Sequence, residues 1–180
     1  GSELTVISGS DDTPGVDHIA TATLANGNFV IVSEDQIVPD GDRGLFMRIL
    51  NSAGGNVLVQ TNVGGTSGDA AVQMDPSVTA LTGGGFVISW VESDGTDTDV
   101  IFQVYNAVGA AVSGLIGVDD LGTTENNNEG QVVALKDGGF FVVFDDDFVD
   151  AIRGQRYDAA GNAVGSTVTI ANTTGSESEP

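Results

Sequence analysis

Gly83-Gly84-Gly85-Phe86-Val87-Ile88-Ser89-Trp90 is a glycine turn followed by a run of apolar and β-branched residues, and similar stretches stand at 26–33 and 137–144. The phenylalanines that open the three runs, Phe29, Phe86 and Phe140, are 57 and then 54 residues apart. A repeat of this length is typical of proteins built from several copies of one supersecondary unit. We therefore expect three structural repeats.

Four β-strands are predicted in each repeat, because short apolar runs alternate with turn residues. We name them a, b, c and d, and in the middle copy they lie at 77–81, 86–91, 100–105 and 113–118. The turn between c and d runs from Asn or Asp to Gly in every copy, at 51–54, 106–109 and 158–161. An Asx side chain can bond its own backbone and glycine accepts a positive φ, so tight turns are expected there.

Strand b of the middle copy is apolar on both faces. Phe86, Ile88 and Trp90 point to one side, whereas Val87 and Val91 point to the other. Such a strand belongs to a sheet that is covered on both sides, so we expect the sheets to stack face to face. Strand c has one polar position that recurs in the three copies and places it nearer solvent: Arg48, Gln103 and Gln155.

The predicted fold is all-β, with three four-stranded, blade-like repeats of the β-propeller type. The repeats cover about 4–56, 57–111 and 112–163, with a closing strand within 164–180. Propellers have about four to eight blades, so three blades should either pair with a second chain into a six-bladed ring or pack against neighbouring repeats of a longer array. The alternative is a β-trefoil, which we place second because its strand b would not be apolar on both faces.

Two copies of the repeat resemble a known kind of tandem repeat, which has a D-G-G-F-V-V-x-W core and a Y-D-A-x-G-x-x-V-G tail. The similarity is carried by 135–144 with 155–165 and by 81–90 with 105–112. Such repeats occur in very large secreted bacterial proteins of the calcium-dependent adhesin and RTX-toxin kind. The first copy departs from the pattern, and the RTX nonapeptide G-G-x-G-x-D is absent, so no parallel β-roll is implied. The resemblance implies a module that is secreted, either extracellular or at the cell surface.

The charge of the chain restricts its partners. The 26 acidic residues outnumber the 5 basic ones, for a formal net charge of -21. Such a chain repels nucleic acid and anionic membrane surfaces, and no window approaches the 18 apolar residues that suggest a membrane span. We therefore expect neither nucleic acid binding nor membrane insertion. The absence of cysteine excludes disulfides and thiolate metal sites.

The connections between strands b and c are the most acidic parts of the repeats, and each contains an Asp-x-Asp motif. Carboxylates on a turning loop are the ligands that Ca²⁺ prefers. We therefore predict calcium as the bound ion, with these ligands: Asp94, Asp97 and Asp99; Asp40 and Asp42; Asp145 and Asp147. The alternative is a set of solvated loop tips that discourage edge pairing.

Three functions compete at this stage. The first is a non-catalytic module of an adhesin-like or RTX-type protein, which acts as a spacer or presents a ligand and associates with itself or with neighbouring repeats. The second is a lectin-like module that binds a glycan or another cell-surface ligand. The third is part of a secreted hydrolase. We expect no enzyme activity, because the three copies share no singular reactive residue and no nucleophile motif is present.

Three single residues allow a functional and a structural interpretation. Trp90 and Phe144 end strand b at matching positions, where an exposed ring could stack on a sugar, but core packing is the expectation because each continues an apolar face. His18, the only histidine, precedes the first strand a without a visible partner for acid–base work. No catalytic or cofactor-binding residue is predicted.

Overall fold

The computed structural model describes residues 18–37, 42–64, 72–118 and 126–172. Their secondary structure is β-strand throughout, and no helix in these ranges could cross a membrane. The strands are β1 (Ile19–Thr23), β2 (Phe29–Ile37), β3 (Asp42–Leu50), β4 (Asn56–Asn62), β5 (Val72–Ala80), β6 (Phe86–Ser93), β7 (Thr98–Tyr105), β8 (Ile116–Gly117), β9 (Asn127–Ala134), β10 (Phe140–Asp146), β11 (Ala151–Tyr157) and β12 (Val168–Asn172).

These twelve strands form three antiparallel sheets of four, and each sheet uses four consecutive strands in chain order. We call β1–β4 sheet 1, β5–β8 sheet 2 and β9–β12 sheet 3, so that strands a to d lie side by side. Each sheet therefore ends a few residues beyond the expected repeat bounds, because strand d completes the sheet of the preceding strand c. The predicted all-β fold with three four-stranded repeats is confirmed, and the strands do not mix as a β-trefoil would require. The apolar run at 4–8 also predicts a strand, but it lies outside the described residues.

Sheet 2 lies between the other two, with a hydrophobic core on each side. Phe86, Ile88 and Trp90 belong to the core shared with sheet 1. Val87 and Val91 belong to the core shared with sheet 3. The predicted covering of strand b on both faces is therefore confirmed for this sheet, because alternate side chains enter different cores.

The sheets are arranged as a fan. The a strands approach one another, since β1 packs against β5 and β5 against β9. Among the described residues, the d strands of neighbouring sheets make no comparable contacts. The a strands are therefore the inner strands, as in the blades of a propeller.

The turns between c and d form as predicted. Asn51, Asn106 and Asp158 each accept two backbone N–H bonds within their own turn. Gly54, Gly109 and Gly161 follow with φ of 83°, 85° and 89°, which only glycine adopts without strain.

The polar positions of strand c also match, because Arg48, Gln103 and Gln155 all pair with the third residue of strand b. The prediction of solvent exposure is wrong for Gln155, which is 4% exposed. Its amide donates to the carbonyl of Gly165 and accepts from the hydroxyl of Thr167, so it ties strand c to the connection that follows.

The three phenylalanines that mark the repeat do not share one environment. Phe86 and Phe140 are fully buried, whereas Phe29 is half-buried. A matching position in the repeat therefore does not give Phe29 the burial of the other two. It lies on the face of sheet 1 that is turned away from sheet 2, beside a groove of about 500 Å³ that Ile19 and Ile31 also line.

Candidate functional site

The antiparallel order of the strands brings two acidic regions to the same end of the molecule. In each sheet the start of strand a, the end of b and the start of c lie together. The end of strand b and the starts of strands a and c therefore share one end of each sheet, which we call the acidic end. The a-to-b and c-to-d turns lie at the opposite end, which we call the turn end.

Three titratable side chains occupy matching positions on the inner strands at the acidic end. His18, Asp75 and Glu129 are separated by 57 and 54 residues, the same intervals as the phenylalanines of the repeat. Each stands five residues before the end of strand a, which pairs with the first residue of strand b in all three sheets. The inner strands are in contact, so the fold places one imidazole and two carboxylates at the acidic end of three neighbouring strands.

The backbone at two of these positions is unusual. Asp75 and Glu129 have φ of 52° and 54°, in the left-handed region that only a few per cent of non-glycine residues adopt. Both lie where the pairing of strands a and b shifts by a bulge, and bulges often re-aim a side chain at a functional site. Gly130 follows Glu129, and a Cβ there would stand 2.4 Å from the Val100 side chain. The close approach of sheets 2 and 3 therefore requires glycine next to Glu129.

A compact triad connects sheets 1 and 2. The His18 Nδ1 atom lies 3.0 Å from Glu34 Oε2 and 3.3 Å from Asp75 Oδ1. The side chain of Glu34 is 1% exposed, while that of His18 is 58% exposed. This is the one group of three potential metal-ligating side chains that occurs within the described ranges.

A polar network continues from the triad between the same two sheets. Glu92 Oε2 accepts hydrogen bonds from the Trp90 indole at 3.2 Å and from the Gln73 amide at 3.3 Å. The oxygen of the Gln73 amide accepts the backbone N–H of Leu45 at 3.1 Å. The inner end of the interface between sheets 1 and 2 is thus held by directed polar contacts rather than by apolar packing alone.

The predicted calcium ligands of sheet 2 lie on the tip between β6 and β7. The Asp94 carboxylate accepts the backbone N–H groups of Thr96 at 2.8 Å and Asp97 at 3.3 Å. These two bonds lower the pKa of Asp94, and the bond from Thr96 has the larger effect. Asp97 follows in the same turn and Asp99 lies in β7. These three carboxylates do not form a ligand cluster in the described part of the chain.

The other predicted ligands are more scattered. Asp145 is buried in β10, and Asp147 is exposed and accepts the Asn128 amide at 3.2 Å. Asp42 lies in β3, and Asp40 lies outside the described residues. Calcium binding by these loops stays a prediction.

The aromatic residues considered above, and two arginines of strand c, have structural roles. Trp90 and Phe144 are fully buried, so core packing is confirmed and neither can act as a sugar platform. Arg153 pairs with Asp146, and Arg156 pairs with Asp137. The latter pair borders a pocket of about 420 Å³ at the turn end, where the charges of the two side chains neutralise each other.

Comparisons with known proteins give the fold but no sequence family. No protein-family model matches the sequence, and no curated protein is similar to it. Among solved structures, an α-L-arabinanase of Penicillium chrysogenum in complex with arabinobiose has a TM-score of 0.71 at 14% identity, over 96% of this chain and 55% of the arabinanase.

Two further structures are also similar. A family-43 β-1,3-galactosidase with galactodeoxynojirimycin has a TM-score of 0.60 at 9% identity, over 92% of this chain and 65% of the galactosidase. An endo-arabinase of Bacteroides thetaiotaomicron has a TM-score of 0.56 at 13% identity, over 93% of this chain and 67% of that protein. This chain spans between about half and two thirds of the length of these structures.

These matches overturn one prediction. We expected no enzyme, but the matching structures named above are glycoside hydrolases. That expectation assumed that an active site would show as one reactive residue shared by all three copies. This criterion was unsuitable. The matching inner-strand positions hold different residues, His18, Asp75 and Glu129, so a site assembled from several repeats leaves no single repeated motif.

Proposed function

We propose that this chain is part of a glycoside hydrolase in which Asp75 and Glu129 form the acid–base pair. The observation that carries the proposal is their position, because they lie at matching bulges of neighbouring inner strands at the acidic end. Both are half-buried. The likeness to arabinanase and galactosidase structures supports this chemistry.

Glycoside hydrolysis needs two carboxyl groups. One protonates the oxygen of the leaving sugar, and the other acts as a base on water or attacks the sugar directly. Asp75 and Glu129 can fill these roles because the inner strands that hold them, β5 and β9, are in contact. The substrate class we propose is an oligosaccharide.

The test measures sugar release from arabino-oligosaccharides and β-1,3-galacto-oligosaccharides, together with binding of the same sugars by calorimetry. Asp75→Asn and Glu129→Gln should each lower the hydrolysis rate by roughly 10²- to 10⁴-fold, the usual contribution of an acid or base. Asp137→Asn is the matched control, since it removes a carboxylate at the turn end.

Two results would overturn the proposal. The first is hydrolysis that survives both substitutions unchanged. The second is a chain that neither cleaves nor binds any sugar of the panel while its circular dichroism shows the native fold.

A further inference from the structure

We propose that His18, Glu34 and Asp75 form a binding site for a divalent transition metal of the Zn²⁺ type. The site is distinct from the calcium ligands predicted on the loop tips. It does not depend on the hydrolase proposal. Because Asp75 belongs to both sites, sugar release is measured in chelator, where no Zn²⁺ occupies its carboxylate.

The first argument is the geometry of the donor atoms. Zn²⁺ binds imidazole nitrogen and carboxylate oxygen at about 2.0–2.2 Å, so neighbouring ligands at tetrahedral or octahedral angles stand roughly 3.0–3.4 Å apart. The His18 Nδ1 atom lies 3.0 Å from Glu34 Oε2 and 3.3 Å from Asp75 Oδ1. Both distances agree with ligands of one small ion.

The second argument is independent of the geometry and comes from the other repeats. Glu34 stands five residues after Phe29, and the matching residues of sheets 2 and 3 are Val91 and Asp145. Val91 is a buried apolar residue, so the fold accepts a side chain without charge at this position. Glu34 is nevertheless 1% exposed, and burying a carboxylate is unfavourable unless a cation or hydrogen bonds compensate it.

The third argument concerns the kind of ion. An imidazole nitrogen in the ligand set favours Zn²⁺ and related transition metals, whereas Ca²⁺ takes oxygen ligands. Three protein ligands leave room for water at a further position, as in zinc sites that stay open. The half-exposed His18 gives the ion a path from solvent.

The experiment follows His18 directly, because it is the only histidine in the chain. Zn²⁺ is added to the full chain at pH 7.5 while the imidazole resonances are recorded by NMR, and the affinity is measured by calorimetry. We expect the Nδ1 resonance to shift and to saturate at one equivalent. Ca²⁺ at the same concentration should leave it unchanged.

Glu34→Val is the key variant, because the matching residue of sheet 2 is Val91, a valine that is buried in its core. It should keep the fold and weaken Zn²⁺ binding at least about tenfold. The loss of a residue that only supports a metal ligand already lowers the affinity by about that much, and the loss of a ligand should lower it no less. His18→Asn should do the same, and Asp137→Asn at the turn end should bind as the wild type does.

The proposal is wrong if one equivalent of Zn²⁺ leaves the His18 resonances in place. It is equally wrong if folded Glu34→Val binds Zn²⁺ as tightly as the wild type. Either result would mean that the triad is only a hydrogen-bonded link between sheets. Because the readout is metal binding, neither result bears on sugar cleavage, and the hydrolase proposal can fail while this one stands.

Discussion

The first residue of strand b is a phenylalanine in all three sheets, and its surroundings change with the position of the sheet in the stack. Phe86 stacks on Tyr105 with ring centroids 5.2 Å apart, and Phe140 stacks on Tyr157 at 5.4 Å. Phe29 pairs with Leu50 instead. The aromatic pair therefore occurs where the face that carries it packs on another sheet, and it is absent from the outer face of sheet 1.

This difference predicts unequal losses of stability. Phe86→Ala and Phe140→Ala should each lower the free energy of unfolding by about 3–5 kcal/mol, because burial is lost and a cavity forms. Phe29→Ala should cost clearly less, since its ring is only half-buried. Urea unfolding of the three variants measures the order, and an equal loss for Phe29→Ala would contradict the assigned stacking.

Tyr105 provides a prediction about alkaline pH. Burial raises its pKa from 10.0 to about 12, while the N–H bond from Gly64 acts in the opposite direction. The unfolded chain therefore ionises first, so the stabilising contribution is complete below pH 10 and is lost as the pH rises towards 12. Thermal unfolding between these values should show a decline that Tyr105→Phe reduces.

Tyr157→Phe is the control for that experiment, because Tyr157 holds the same position in sheet 3. Its variant should retain the decline that belongs to Tyr105. If Tyr105 of the folded Tyr157→Phe variant reached full phenolate absorbance near pH 10, the prediction would be contradicted.

At the scale of single elements, the tip between β6 and β7 is the sharpest case for calcium. Asp94 already uses its carboxylate to close the turn through Thr96 and Asp97. Both bonds go to its Oδ1 atom, so we test the other two predicted ligands, Asp97 and Asp99, whose carboxylates do not close this turn. We expect millimolar Ca²⁺ to raise the melting temperature, since extracellular modules bind at about 10⁻⁴ to 10⁻³ M.

The variant that combines Asp97→Asn and Asp99→Asn should lose much of this increase, whereas Asp158→Asn at the turn end should not. Differential scanning calorimetry in calcium and in chelator, at matched ionic strength, makes the comparison. Equal melting temperatures of the wild type in the two solutions would show that these tips are only solvated.

The elements were predictable where the deciding signals are local. The alternation of Phe86, Val87 and Ile88 fixes which side chains enter which core, and the Asx-to-Gly spacing fixes the turns. The triad was not predicted, because Glu34 and Asp75 lie 16 and 57 residues from His18. One signal was present all the same, since the repeat period applied to His18 leads to Asp75 and then to Glu129.

At the scale of the whole molecule, the outer faces of sheets 1 and 3 both carry apolar side chains. Sheet 1 presents Phe29 and Ile31 beside a groove. Sheet 3 leaves Val133, Val168 and Ile170 about half-exposed. The face with Phe29 is the same kind of face as the one through which sheet 2 packs on sheet 1.

Association of two chains through these faces therefore remains our prediction for the assembly, with a six-bladed ring as the expected product. Light scattering coupled to size exclusion should report a dimer at micromolar concentrations, and Phe29→Asp should shift it to monomer. Val108→Asp, which alters an exposed residue on a turn, is the control. A wild-type monomer at high concentration would contradict the ring.

Among the described residues, acidic side chains gather at one end, so this part of the chain is an electric dipole. Of the described carboxylates, only Asp137 and Asp158 lie at the turn end, where Lys136 and Arg156 offset them. The chain would consequently approach a positively charged surface or protein with its acidic end first. Orientation should be strongest in dilute salt and fade once the screening length falls to about 8 Å near physiological ionic strength. On a cationic support the chain would therefore be immobilised face down, with its tight turns towards the solution.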